Sequence, residues 1–311
     1  MKTVWTICAV PIFAAILSFS TSCRENKKET PPDHPRLTPS VATRDSTFRS
    51  AALGREMQFR VILPLSVPEG QKLPVVYLLH GGGGGFRDWS NYSDVARFAE
   101  GGLVLVMPEG GESYYTNAAD RPQGRYEDYI LNDLMAEVEA KLPVATGREN
   151  RAIVGVSMGG FAAVKFALKR PDLFAFAAGI SPAVDVPSRP FSIKRPLQWR
   201  YHRSIFGPWG GRVQQENDPF VLARSTIPGN APYLFLTCGD REGLLSANRR
   251  LAAILAERHF QHEFRVVRGG HDWTQWNGEL ADCFKSLTEH LDSANRSHSK
   301  FPHSHPANSL P

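Results

Sequence analysis

Cysteine is scarce in this chain, with four among 311 residues. Cys8 lies inside an apolar leader and Cys23 at its end, so only Cys238 and Cys283 remain for the folded part. Two are too few for a disulfide framework. In an oxidising compartment they could pair. The other reading, two separate buried thiols, suits Cys238 at the end of an apolar strand and Cys283 on the last helix. A large excess of charge is also missing. The formal net charge of +5 sits partly outside the core, and no recognition motif accompanies it, so nucleic acid is not an expected partner. The N-terminal apolar run, Val4 to Phe19, is too short for a membrane span and Pro11 interrupts it. No internal repeat is present. Neither a metal nor a cofactor is expected. His298, His303 and His305 fall in a polar tail where nothing fixes a coordination geometry.

The ends of the chain read as dispensable. Lys2, the apolar run and the small residues Ser20-Thr21-Ser22 form a secretory signal over 1–22. Small residues before Cys23 mark it as a lipidation site. Ser20, where such sites carry an aliphatic residue, keeps ordinary cleavage after Ser22 as the rival. Both readings export the protein, and membrane attachment is expected only through a lipid on Cys23. Residues 23–45, with Pro31, Pro32, Pro35 and Pro39, read as a disordered tether. Residues 293–311, rich in Ser, His, Asn and Pro, read as a disordered tail. The span 46–292 is long enough for one domain with a sizeable core.

Within that span, apolar strands alternate with helical patterns. Thr47 to Leu63 reads as an antiparallel hairpin around Gly54. The runs Leu73–Leu79, Leu103–Met107, Ala152–Val154, Phe174–Ile180, Pro232–Thr237 and Glu263–Val267 read as strands, the first of them continuously apolar like a strand buried on both faces. Tyr126 to Leu142 has helical spacing, with Glu127 and Asp128 in its first turn. This predicts an α/β fold with a mostly parallel central sheet covered by helices on both faces. Residues 183–230 break the rhythm and read as an irregular insertion that roofs the site.

Chemistry concentrates at three strand ends. Gly155-Val156-Ser157-Met158-Gly159 follows a strand and precedes a helix, the context of a nucleophile elbow, in which side chains at 155 and 159 would collide. A serine needs a base within hydrogen-bond reach and an acid to orient that base. His271, after Gly269-Gly270 at the last strand end, supplies the base. Asp240 and Glu242, after the preceding strand, are the candidate acids. Asp272 reads as a cap for the following segment. The five glycines 81–85 after His80 would let backbone N–H groups approach a reacting carbonyl. No Gly-Lys-Ser/Thr follows them, which weakens a phosphate-loop reading.

These motifs together resemble the esterase family of α/β-hydrolases that includes esterase D-like S-formylglutathione hydrolases, tributyrin esterases, feruloyl esterases and mycolyltransferases. The resemblance rests on His80-Gly81-Gly82 before Trp89, the elbow at Ser157, Cys238-Gly239 ahead of Glu242, and Gly270-His271-Asp272-Trp273 with Trp276. It covers about residues 50 to 292 and implies an α/β-hydrolase fold. It favours Glu242 over Asp240 as the acid, although the family more often has Asp there, with Asn248 matching a helix position that follows. It implies an oxyanion hole from the N–H groups of Gly82 and Met158. Trp89, Tyr115 and Trp273 are the expected substrate contacts. The implied activity is that of an exported serine carboxylesterase acting on an acyl or aromatic-acyl ester, with a carbohydrate as one candidate alcohol. Acyl transfer by the same triad and a non-catalytic carbohydrate-binding relative are the alternatives.

Overall fold

The computed structural model describes residues 32–300, with side chains to 296. Eight strands form one sheet: β1 (Val41–Ser50), β2 (Arg55–Pro64), β3 (Val75–Leu79), β4 (Val104–Pro108), β5 (Arg151–Val156), β6 (Phe176–Ile180), β7 (Tyr233–Gly239) and β8 (His262–Val267). Their order is β1-β2-β4-β3-β5-β6-β7-β8. β2 is antiparallel to β1 and β4, and every pairing from β4 to β8 is parallel. This is the α/β-hydrolase architecture. β3, β4 and β6 are buried along their whole length because helices cover both faces. Alternate residues feed two apolar layers. Val75, Tyr77 and Leu79 join Phe161 and Val164 of the helix Met158–Lys169 on one side. Val76, Leu78 and Val154 join Phe284, Leu287 and Leu291 of the C-terminal helix on the other.

Strand order reverses beside β3, where β4 lies on one flank and β5 on the other. At such a reversal the loops leaving neighbouring strands diverge and open a crevice beyond the carboxyl edge. The glycine run follows β3 and Ser157 follows β5, so topology brings them to that crevice.

The structure corrects several boundaries. The tether assigned to 23–45 ends earlier, because β1 begins at Val41, which is buried. Asp33 and Asp45 also belong to the folded part, since both bind the buried guanidinium of Arg60, each at 2.6 Å. The hydrogen bond from Arg60 holds the Asp33 carboxyl below its usual range. Proline content marked the stretch as tether-like and hid a buried cation that needs counter-ions. At the other end, the helix Leu280–Lys300 runs through the supposed start of the tail at 293, and Ala294 packs against the core. Residues 126–141 are helical, with a widened π-type turn over Tyr129–Leu134. The segment 183–230 is not irregular. It carries the helices Pro196–Phe206, Arg212–Glu216 and Pro219–Ser225. Cys238 and Cys283 are separate, buried and unpaired, and burial pushes the Cys238 thiol up to about 12. The signal 1–22 and Cys23 lie outside the described residues.

Candidate active site

Ser157 has φ 54° and ψ −112°, a left-handed backbone that costs a non-glycine residue about 1–3 kcal/mol. Its neighbours over-determine that turn. The Ser157 N–H donates to the Ile180 carbonyl of β6 at 2.9 Å, and its carbonyl accepts from Phe161 and Ala183. The flanking glycines are required by contact with backbone. A Cβ on Gly155 would lie 2.2 Å from the Gly159 carbonyl, and one on Gly159 would lie 2.2 Å from the Leu79 carbonyl. The second contact is with β3 rather than across the turn itself. It is the means by which the helix after Ser157 is seated against the neighbouring strand.

From this turn a continuous line of hydrogen bonds runs outward. Ser157 Oγ lies 2.8 Å from His271 Nε2, and His271 Nδ1 lies 2.7 Å from Glu242 Oε2. The Glu242 side chain is fully buried, whereas that of His271 is 38% exposed. Glu242 is thus the carboxylate that meets the imidazole. Asp240 instead accepts from the Gly269 N–H at 3.0 Å and braces the loop that carries His271. Two residues of separation decide this. β7 ends at Gly239, whose N–H also binds Glu242 Oε1 at 2.8 Å, and the turn folds Glu242 back over the strand end. Asp272 caps the helix Trp273–Gly278 through the N–H groups of Thr274 and Gln275.

Two residues that sequence reading did not single out, Ser181 and Gln275, complete the setting of Glu242 together with Trp276. Ser181 donates to Glu242 Oε1 at 2.5 Å and accepts from Trp276 Nε1 at 3.1 Å. Gln275 Oε1 lies 3.2 Å from the same hydroxyl. Ser181 adopts φ 49°, which turns its side chain at the end of β6. The only signal in the sequence is a serine before proline at a strand end, a combination too common to single out. Asn248 is buried and donates to the Pro182 carbonyl at 2.9 Å, holding the segment that follows Ser181.

The crevice beside Ser157 has a volume of about 410 Å³ and is lined by the glycine loop, Asp88, His271, Asp272, Trp273 and Trp276. A Cβ on Gly81 would lie 3.4 Å from that of Ser157, so the loop abuts the serine. Gly82 lines the crevice. Met158 is the first residue of the helix that follows Ser157, so its N–H lacks an intrahelical carbonyl. Glu112 accepts from the Gly83 N–H and steadies the loop from outside. Burial raises the Asp88 carboxyl above its usual range. Of the expected substrate contacts, Trp273 lines the crevice and the other two do not. Trp89 is buried and meets Trp273 edge-on, with ring centroids 5.3 Å apart, so it supports the wall from behind. Tyr115 is fully buried, and its hydroxyl donates to the His80 carbonyl. The loop turns at Tyr114 and Tyr115, both with positive φ, and drives Tyr115 into the core. Tyr114 remains partly accessible, with its hydroxyl 3.2 Å from His202 Nε2. The segment 183–230 contributes nothing to the lining of this crevice. It builds a neighbouring cavity of about 380 Å³ with Gly243 and Leu244.

One buried cation lies behind the site. Lys165, on the helix that follows Ser157, is fully buried and donates to the Tyr115 carbonyl at 2.7 Å, Thr116 Oγ1 at 3.0 Å and Glu127 Oε2 at 3.1 Å. Desolvation lowers its ammonium to about 8. Burial alone would raise Glu127, yet the charges of Lys165 and Lys169 bring it below its usual range. The cluster ties the aromatic loop to the helix. Among the described residues, no group of three His, Cys, Asp or Glu side chains converges to hold a metal ion.

Comparison with known proteins adds relatives to this geometry. The model of the family described as "Putative esterase" matches residues 50–287. An acetyl esterase of Caldicellulosiruptor saccharolyticus is 24% identical over 267 residues, which cover 81% of this chain and all of the relative. An esterase of Mycobacterium tuberculosis is 34% identical over 258 residues, covering 72% of this chain, and the chain spans about half the length of that relative (54%). Among solved structures, the fluorophosphonate-binding serine hydrolase F of Staphylococcus aureus has the same fold, with a TM-score of 0.69 and 24% identity over 81% of this chain and 98% of its own.

Proposed function

We propose, for a chain that belongs to the esterase family and is a carboxylic ester hydrolase, that catalysis runs through Ser157, His271 and Glu242 with a covalent acyl-enzyme. The observation that carries this reading is the unbroken line from Ser157 Oγ through the imidazole to a buried carboxylate, with both spacings under 3 Å. A serine hydroxyl is a weak nucleophile until a base takes its proton as it attacks. His271 Nε2 is within reach to do so, and Glu242 orients the ring through Nδ1–H and stabilises the imidazolium that forms. The N–H groups of Gly82 and Met158 would hold the tetrahedral oxyanion, each worth about 3 kcal/mol. His271 then returns the proton to the departing alcohol. In the second half, water takes the place of the alcohol and His271 acts again as base.

The crevice supports a neutral substrate. Asp88 and Asp272 can accept hydrogen bonds from hydroxyl groups, and Trp273 and Trp276 offer flat apolar faces. The reading is therefore an acyl or aromatic-acyl ester, with a carbohydrate as the alcohol. The exposure of His271 gives water access to the acyl-enzyme, the route to hydrolysis. Turnover of p-nitrophenyl acetate by the wild type and by Ser157→Ala tests the reading, and equal rates would sink it. Product analysis with an added alcohol acceptor separates hydrolysis from transfer, and a panel of acetylated and feruloylated sugars identifies the ester.

Export, with a lipid on Cys23, is part of the same proposal and is supported by the composition of residues 1–23. Labelling with palmitate in the producing cell, compared with Cys23→Ser, tests it. Equal labelling of both would refute lipidation.

A further inference from the structure

We infer that the turn and helix start spanning Phe191 to Arg200 form a docking surface for an anionic lipid bilayer, independent of the esterase reading. Three large apolar side chains stand out of the protein within seven residues: Phe191 is 60% exposed, Ile193 84% and Leu197 77%. Most exposed apolar residues of a soluble domain occur singly. A group of this kind with a polar rim marks a contact surface. The backbone holds the group together. The Arg195 N–H donates to the Ser192 carbonyl, Pro196 opens the helix Pro196–Phe206, and the Trp199 N–H donates to the Arg195 carbonyl. The rings of Phe191 and Trp199 meet edge-on at 5.3 Å. On its inner face the same helix is anchored by buried His202, Ile205 and Phe206. Leu197 and Arg200 are left on the outer face.

Charge selects the occupant. Between Asp185 and Glu216 the chain has six lysines and arginines and no carboxylate. Arg189 is paired with Asp185, Arg203 donates to the Pro187 carbonyl, and Arg212 meets Glu216. Among the described residues, Lys194, Arg195 and Arg200 have no ion-pair partner, and they flank the three apolar side chains. Exposed apolar groups that enter the acyl boundary, ringed by cations that meet the headgroups, are the chemistry of an interfacial contact with anionic lipid. A protein partner would need a matching acidic face, and a second copy of this surface would repel the first.

The test is co-sedimentation of the purified protein with vesicles, in a Cys23→Ser background so that no acyl chain contributes. Phosphatidylglycerol-containing vesicles are compared with pure phosphatidylcholine. Each cation brought to an anionic surface strengthens binding roughly five-fold, so three predict about a hundred-fold preference for the anionic vesicles at low salt. Lys194→Glu with Arg195→Glu should abolish that preference, and Ile193→Ser with Leu197→Ser should weaken binding to both vesicles. Near-ultraviolet circular dichroism shows that the variants are folded. Equal binding to both lipids, no binding, or insensitivity to both double variants would overturn the proposal. So would a dimer, seen by light scattering, that Ile193→Ser dissolves, because the surface would then be covered by a second copy.

Discussion

The crevice at Ser157 and the segment from Val186 to Gln215 both grow from the carboxyl edge of the sheet, yet they are built on opposite terms. The crevice is walled by backbone, tryptophan rings and the carboxylates Asp88 and Asp272. Its geometry is held by turns of two or three residues and by glycines that no other residue can replace. The segment carries six cations and no carboxylate, and it presents apolar side chains to solvent. The first region is over-determined, as a site that aligns three reacting groups must be. The second is anchored by buried His202, Ile205 and Phe206 on its inner face and leaves Phe191, Ile193 and Leu197 on its outer one. The difference separates a place for chemistry from a place for encounter.

The largest effect that could break this comparison lies at the base. His271→Ala should lower kcat on p-nitrophenyl acetate by about 10⁴- to 10⁶-fold, since the members of such a triad act as a unit. Steady-state kinetics with active protein quantified by mass would show it, and a loss below ten-fold would remove the imidazole from the mechanism. Next comes the choice of acid. Glu242→Gln should cost roughly 10³- to 10⁴-fold in kcat by holding the wrong tautomer. Asp240→Asn keeps an oxygen for the Gly269 N–H and should change kcat by less than about three-fold. The reverse pattern would reassign the acid.

A moderate effect belongs to the support behind the crevice. Lys165→Met leaves Glu127 buried with one cation fewer and strands two acceptors, and it should destabilise the fold by about 3 kcal/mol in urea titration. The pH dependence follows from the signs. Glu127 is held below its ordinary value, so it contributes stability above about pH 4.5 that is lost as the pH falls. Lys165 is lowered to about 8 from 10.5, so the unfolded chain binds that proton more readily, and stability rises between about pH 8 and 10.5. Thermal melts of wild type and Lys165→Met across those windows should differ in the alkaline one, and superimposable alkaline profiles would contradict the assignment. The smallest effect sharpens the comparison from the other side. Arg195→Glu should change kcat/KM on a small neutral ester by less than about two-fold, because screening weakens a surface charge outside the crevice. A larger change would mean that the two regions are not separate.

What could be read from the chain varied with the kind of constraint. The elbow was legible because a strained serine turn demands Gly155 and Gly159 at set positions, whatever the rest of the protein does. The base was legible because His271 follows two glycines at a strand end. The acid was not legible from residues alone. Asp240 and Glu242 are chemically alike, and only resemblance to a family favoured one. Ser181, Gln275 and Lys165 were illegible because nothing local marks them, and each matters through partners distant in sequence. Tyr115 misled for the same reason. An aromatic loop next to a site suggests contact with substrate, but two residues with positive φ turned that ring into the core.

By itself, then, the sequence determined the strand and helix alternation, the mostly parallel sheet, and the candidate nucleophile and base. These depend on local backbone sterics and on apolar periodicity, which act over a few residues. Only the tertiary structure decided which carboxylate meets the imidazole, which tryptophan faces the crevice, and where the folded part begins and ends. Those outcomes depend on distances between strand ends and on buried charges finding partners, Arg60 with Asp33 and Lys165 with Glu127. Such pairings are made across the fold, where the cost of an unpaired buried charge selects one arrangement that no short stretch of the chain encodes.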